Sequence, residues 1–85
     1  MAVRELKQAI SAAASNLDSQ IRELHQFVQN NDNLMQQITQ ELEGSSNSSA
    51  ANMKEALSRA KEQVMHTIGL VENAKTKLLN YTSRL

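Results

Sequence analysis

Several residue types that reinforce small domains are missing or rare. The 85-residue chain has no cysteine, proline or tryptophan, and only two glycines, one phenylalanine and one tyrosine. Without cysteine there is no disulfide or thiolate metal site, and without proline the strongest helix breaker is absent. So few aromatic side chains argue against a compact globular core. Stability must come from helix packing, and we expect one all-α domain spanning residues 1–85.

The chain has no net charge, but its acidic and basic residues are unevenly distributed along the sequence. Nine basic and nine acidic residues cancel, so the total charge does not indicate a nucleic-acid partner. Residues 1–43 carry six acidic and three basic residues, whereas residues 44–85 carry three acidic and six basic ones. The two halves are therefore electrostatically complementary, which favours pairing within the chain or between protomers.

Long hydrophobic runs are also lacking. No stretch of about 20 apolar residues is present, so we expect no membrane span. The first 19 residues contain Arg4, Glu5, Lys7 and Asp18 and do not resemble a secretory signal peptide. The expected location is the cytoplasm, or outside the cell by a route that needs no cleaved signal peptide. Long apolar stripes flanked by lysines leave lipid binding as an alternative, with weak vesicle binding expected.

The first segment shows helical periodicity with a broad apolar stripe. With Val3 at heptad position a, most residues of columns a, d and e are apolar, which is wider than a two-stranded seam needs and suits a bundle. Column a contains Val3, Ile10, Leu17, Leu24, Asn31 and Ile38; column d contains Leu6, Ala13, Gln20, Phe27, Leu34 and Glu41; column e contains Ala14, Ile21, Val28, Met35 and Leu42.

The second segment repeats the pattern, and its small residues at d let a neighbouring helix come close. Column a contains Ala50, Leu57, Val64, Val71, Leu78 and Leu85; column d contains Met53, Ala60, Thr67, Ala74 and Tyr81. Met65 and Leu79 lie further round and could form a second contact surface. Gly69 indicates either close packing or a local weakness in the helix.

Between the segments, Gly44 suits a helix end and Asn52 with Glu55 resembles a capping box that starts the next helix. Ser48 or Ser49 is an alternative cap. These signals predict helices over about 3–43 and 50–84 joined by a tip loop over about 44–49, in an antiparallel hairpin.

A rod of two helices has little interior, so a partner should be part of the folded state. We expect a four-helix bundle formed with a protein partner that has a helical domain, or with a second copy as a dimer. The predicted interface residues are Ile10, Leu17, Ile21, Leu24, Phe27, Val28, Leu34, Ile38, Leu57, Val64, Ile68, Val71, Leu78 and Tyr81.

Asn31 is the polar exception in column a. An asparagine there can specify register at some cost in stability. Alternatively, it belongs to a stretch of poor helix formers, residues 29–33, that breaks the first helix.

Chemistry-bearing residues are sparse. His25 and His66 are the only imidazoles, and only Glu62, four residues before His66, is placed as a second ligand. Two-residue sites hold metals poorly, and no glycine-rich phosphate loop or catalytic triad is apparent. We expect no enzyme activity, metal or cofactor.

In size and two-helix architecture the chain resembles the WXG superfamily of small type VII secretion substrates and the helical partners of LXG toxins. The tip stretch LEGSSNSS keeps Gly44, with Leu42 at the position of the family's tryptophan, and YTSRL places Leu85 where the Tyr-X-X-X-Asp/Glu signal has its acid. The resemblance implies a Gram-positive source and a targeting role beside a helical toxin domain, without catalysis.

The sequence thus predicts a noncatalytic helical interaction protein, a secretion accessory. The alternative is a cytosolic structural or adaptor coiled coil that forms a homo-oligomer, with the second helix extended from the first.

Overall fold

The structure, a computed structural model, describes residues 2–42 and 48–85. They form two α-helices, α1 (Val3–Glu41) and α2 (Ser48–Ser83). The described residues contain no strand, so the all-α expectation is confirmed. Gly44, predicted to lie at the tip, and most of the predicted loop over 44–49 fall outside the described residues.

The helix bounds differ from the predicted ones by up to two residues. Helix α1 ends at Glu41 rather than 43, and the Leu42 amide donates to the carbonyl oxygen of Ile38 at 3.0 Å. Helix α2 begins at Ser48, so Asn52 lies one turn inside it and is not its cap. Glu55 pairs with Arg59 at 2.8 Å instead of closing a capping box. Serine is favoured near helix starts, which accounts for the earlier beginning.

Helix α1 is continuous through residues 29–33, and the predicted alternative of a break there is wrong. The Gln26 side-chain amide donates to Asn30 Oδ1 at 3.0 Å across one helical turn. Such pairs four residues apart support a helix. Packing against α2 compensates for the poor intrinsic propensity of this stretch.

The helices pack against each other in antiparallel orientation. Lys75 Nζ lies 2.5 Å from Asp18 Oδ1, and Lys61 Nζ lies 3.0 Å from Asp32 Oδ1. As residue numbers rise along α1, those of their partners fall along α2, which defines a hairpin. The alternative with α2 extended from α1 is therefore wrong. The molecule is a rod of 65 × 15 × 14 Å.

The seam between the helices uses columns a and e of both helices. Ile10, Ala14 and Ile68 are the buried apolar residues, and Ile68 and Ala14 both belong to column e. In α2 we had expected columns a and d to lead. From Ala14 onward, column e is the more uniformly apolar column in α1, where column d contains Gln20 and Glu41. In α2, column e brings Lys61 and Lys75 beside acidic residues of α1.

Gly69 lies on the outer side of α2, away from the seam. A Cβ atom built at Gly69 meets no atom within 4 Å. Gly69 therefore does not serve close packing between α1 and α2, and within the hairpin it is a local weakness of the helix.

Candidate docking surface

Column d flanks the seam on one side of the hairpin in both helices. We call this side the apolar face. Residues seven apart lie on the same side of a helix, and reversing the direction of α2 brings its column d beside that of α1. The apolar face consists of Leu6, Ala13, Gln20, Phe27 and Leu34 of α1 and Met53, Ala60, Thr67, Ala74 and Tyr81 of α2.

A shallow groove of about 560 Å³ lies in the middle of the apolar face and confirms that the two columns are adjacent. It is lined by Gln20, Glu23, Leu24, Phe27, Val64, Thr67 and Val71. Leu24, Val64 and Val71 form its floor as half-buried seam residues, while Phe27 forms a wall. The groove is thus lined by four apolar side chains together with Gln20, Glu23 and Thr67.

Large side chains on the apolar face are open to solvent. Phe27 is 48% exposed, Leu34 45%, Met53 44% and Tyr81 51%. None of these ten residues carries a charge; the remaining column d residue, Glu41 at the end of α1, is charged, and Glu23 lines the groove. A contiguous exposed apolar surface of this kind marks an interaction site in soluble proteins.

The opposite side of the hairpin is different in chemistry. We call it the charged face, defined by Asp18, His25, Asp32, Met65, Glu72 and Leu79 together with the paired Lys61 and Lys75. A second groove of about 370 Å³ lies here, lined by Asp18, Ile21, His25, Glu72, Lys75, Thr76 and Leu79. Two ion pairs cross from helix to helix on this face, between Asp18 and Lys75 and between Asp32 and Lys61.

Asn31 sits in the seam, 6% exposed. Its Nδ2 donates to the carbonyl oxygen of Leu57 in α2 at 2.7 Å. The neighbouring ion pair between Asp32 and Lys61 lies one residue further along α1. A buried directional hydrogen bond is satisfied at one stagger of the two helices, so this geometry suits a register role.

The predicted interface residues are divided between the seam and the apolar face. Two are buried between α1 and α2, and nine are half-buried along the same seam, so the hairpin itself uses most of the predicted stripe. The buried residues are Ile10 and Ile68; the half-buried ones are Leu17, Ile21, Leu24, Val28, Ile38, Leu57, Val64, Val71 and Leu78; the exposed ones are Phe27, Leu34 and Tyr81.

The list of predicted interface residues leaves out two contributors to the exposed apolar surface. Met53 belongs to the apolar face, and Leu70, at its edge, is 57% exposed, which is the largest value among the described large apolar side chains. Gln20 and Thr67 mark the polar centre of the face. Column d could be read from the sequence of both helices. The sequence did not show, however, whether column d or column e would lie in the seam and which would be left exposed.

The two histidines lie apart. His25 is on the charged face beside Asp18 and Glu72, and His66 is exposed on the outer side of α2 with Glu62. In the described part of the chain, no three or more side chains of the metal-binding types converge on a possible ion site. Within residues 2–42 and 48–85, neither helix combines the length and apolar character needed to cross a membrane.

Comparisons with protein-family models, with curated proteins and with solved structures gave no match.

Proposed function

We propose that this protein is a noncatalytic helical interaction protein whose apolar face packs against another pair of helices. The observation that carries the proposal is the uncharged, exposed face that runs along the hairpin, with Phe27, Leu34 and Tyr81 standing out from it. Burial of apolar surface stabilises an assembly by about 25 cal/mol per Å². A helix pair is the matching shape, because side chains of four parallel or antiparallel helices interdigitate along their full length.

The chain exposes more surface than a compact protein of its mass. Its accessible area is 6381 Å² for 9.5 kDa, and a typical folded monomer of that mass exposes about 5,000 Å². The excess of about 1,300 Å² is larger than the roughly 800 Å² that each partner contributes to a standard stable interface. We propose that association covers part of this excess surface.

We further propose that the biological role is that of a type VII secretion accessory, which packs beside the helical domain of a secreted toxin or of a homologous small protein. The support is the resemblance in architecture together with a surface that fits a helical partner. Tyr81 is 51% exposed near the open end of the hairpin. Because Leu85 replaces the acid of the family's signal, we propose that a bound partner completes that signal.

Coexpression with the neighbouring genes, followed by affinity capture and mass measurement of the complex, tests this proposal. We expect a stoichiometric complex with a protein that has a helical domain. Phe27→Asp should abolish the complex, whereas Leu79→Asp on the charged face should leave it intact. Phe27 and Leu79 are 48% and 47% exposed, so the two substitutions are matched in exposure. Equal loss with both variants, or no partner at all, would contradict the proposed function.

A further inference from the structure

The groove in the middle of the apolar face, which we call the central groove, is lined by one charged side chain, that of Glu23. Glu23 lies four residues before Phe27 on α1, and residues four apart are neighbours on the surface of a helix. The remaining apolar lining comes from Leu24, Val64 and Val71. A carboxylate is thus placed beside a half-exposed phenyl ring, next to an apolar floor.

The negative charge of Glu23 is not balanced within the described hairpin. The ion pairs found among residues 2–42 and 48–85 do not include Glu23. None of the residues three or four positions away from it on α1 is basic. The adjacent Arg22 uses its Nη2 to donate to Ser19 Oγ at 3.1 Å. Glu23 therefore depends on water for its solvation in the free protein.

A partner packed on the apolar face would remove part of that water from Glu23. Burial of an ionised carboxylate without a nearby positive charge is strongly unfavourable, whereas a cation within hydrogen-bond distance offsets the lost hydration. A partner helix with only apolar side chains at this point would leave the cost uncompensated. The central groove therefore favours a partner that brings a positive charge to Glu23.

We propose that the central groove is a subsite for one arginine side chain of the helical partner. The methylene stem of the arginine covers the apolar floor, and its planar guanidinium lies against the ring of Phe27. The guanidinium donates hydrogen bonds to the Glu23 carboxylate, which is a strong, charge-assisted pairing. The groove volume of about 560 Å³ lies within the range of roughly 300–1,000 Å³ that is usual for ligand pockets.

Arginine fits this subsite better than lysine does. A guanidinium stacks on aromatic rings and is less strongly hydrated than an ammonium group, so it loses less on entering an apolar groove. It also has five N–H donors, and the groove offers acceptors besides Glu23 in Gln20 Oε1 and Thr67 Oγ1. The Thr67 hydroxyl donates its hydrogen to the carbonyl oxygen of Gln63 at 3.0 Å, which leaves its oxygen as an acceptor.

This inference rests on the proposed function, because the arginine belongs to the partner that packs on the apolar face, and it adds the chemistry by which that partner is selected. The two ideas fail separately. Affinity capture reports whether a partner exists, whereas a synthetic peptide reports on the subsite without that partner.

Two synthetic helical peptides test the subsite. Both have leucines one helical turn to either side of a central residue, which is arginine in one peptide and citrulline, its uncharged analogue, in the other. Fluorescence anisotropy of the labelled peptides should show about tenfold tighter binding of the arginine peptide, because only this peptide forms charge-assisted hydrogen bonds. The chain has one phenylalanine, so isotope-labelled phenylalanine reports on Phe27 alone, and its ring signals should shift as the arginine peptide binds.

Glu23→Gln should weaken binding of the arginine peptide by about tenfold, to the level of the citrulline peptide, and leave the citrulline peptide unaffected. Glu62→Gln is the matched control, because Glu62 is exposed on the outer side of α2, and it should change neither affinity. The inference is overturned if neither peptide binds, if both bind the natural protein equally, if Glu23→Gln weakens both peptides alike, or if Glu62→Gln has the same effect as Glu23→Gln.

Discussion

The apolar and charged faces of the hairpin expose apolar side chains to the same extent but differ in the cost of covering them. Phe27 and Leu34 of the apolar face are 48% and 45% exposed, and Leu79 and Met65 of the charged face are 47% and 46% exposed. Exposure alone would rank the two faces equally. The two faces differ because the charged face carries two ion pairs, and the charged groups of these pairs would lose water if a partner docked there.

The difference teaches that the docking surface is chosen by the absence of charge as much as by the presence of apolar area. On the charged face, the side chains of Lys61 and Lys75 are 40% and 31% exposed, and each forms an ion pair with an acidic side chain that is also partly exposed to water. Burial of such pairs costs more than their attraction returns unless further hydrogen bonds satisfy them. The apolar face carries no such cost.

The largest effect should come from placing a charge on the apolar face. Phe27→Asp removes the burial of a phenyl group in the proposed assembly, about 1.5 kcal/mol or more. The dissociation constant of that assembly should rise by about tenfold or more, since each 1.4 kcal/mol is a factor of ten. Sedimentation equilibrium measures it. Leu79→Asp is the matched control on the charged face, and an equal rise with both variants would remove the distinction between the faces.

A smaller loss of stability is expected from a substitution in the seam, which lies between the two faces. Asn31→Asp replaces the Nδ2 donor by a carboxylate oxygen that faces the Leu57 carbonyl oxygen, so a charged acceptor in the seam stands opposite another acceptor. The free energy of unfolding should fall by about 1 to 3 kcal/mol. Urea denaturation measures it, with Asn33→Asp as control because Asn33 is exposed on the same helix. A drop of the same size for both variants would show that the register bond contributes nothing.

Gly69→Ala should stabilise the helix without touching either face. The added methyl group has open space, and alanine is favoured over glycine in a helix interior by about 1 kcal/mol. The melting temperature should rise by roughly 4 to 8 °C, while the dissociation constant of the proposed assembly should stay unchanged. Differential scanning calorimetry checks the first value. A weakened assembly would place Gly69 in an interface and contradict the assignment of faces.

The smallest effect is expected on the charged face itself. Asp32→Asn breaks the pair with Lys61, whose side chains are 45% and 40% exposed. Exposed pairs contribute about 0 to 1 kcal/mol, and salt screens them. The melting temperature of the variant should therefore be slightly below that of the natural protein at low salt, and the two melting temperatures should converge at high salt. A loss of several kcal/mol that persists in high salt would show that this face is buried in the assembly.

The sequence was sufficient to predict the two helices but not to predict which sides of them face each other. Helical periodicity and the absence of proline predicted two helices, and their bounds were right to within two residues. Columns d and e were both apolar enough to join column a, and the choice between them depended on how the two helices pack together, including the pairing of Lys61 and Lys75 with acidic residues far away in the chain. Local pattern does not contain such long-range pairing.

Asn31 shows the same limit from another direction. The low helix propensity of residues 29–33 predicted a break in the first helix, whereas the place of Asn31 in column a predicted a register role. The local sequence provides no basis for choosing between these two interpretations. In the structure the helix is unbroken, and the Asn31 side chain bonds to Leu57, 26 residues away in the chain. The register function itself stays a prediction, as does the role of Gly44 at the tip.

The central claim is that the apolar face must be covered for the chain to be stably folded, and the dependence of thermal unfolding on protein concentration tests it most directly. When folding is coupled to association, the melting temperature depends on protein concentration by mass action. We predict that circular dichroism melts shift to lower temperature by several degrees on hundredfold dilution, and that Phe27→Asp removes the shift together with much of the helicity. A melting temperature that is high and independent of concentration would show a hairpin that is stable alone, and would contradict the account.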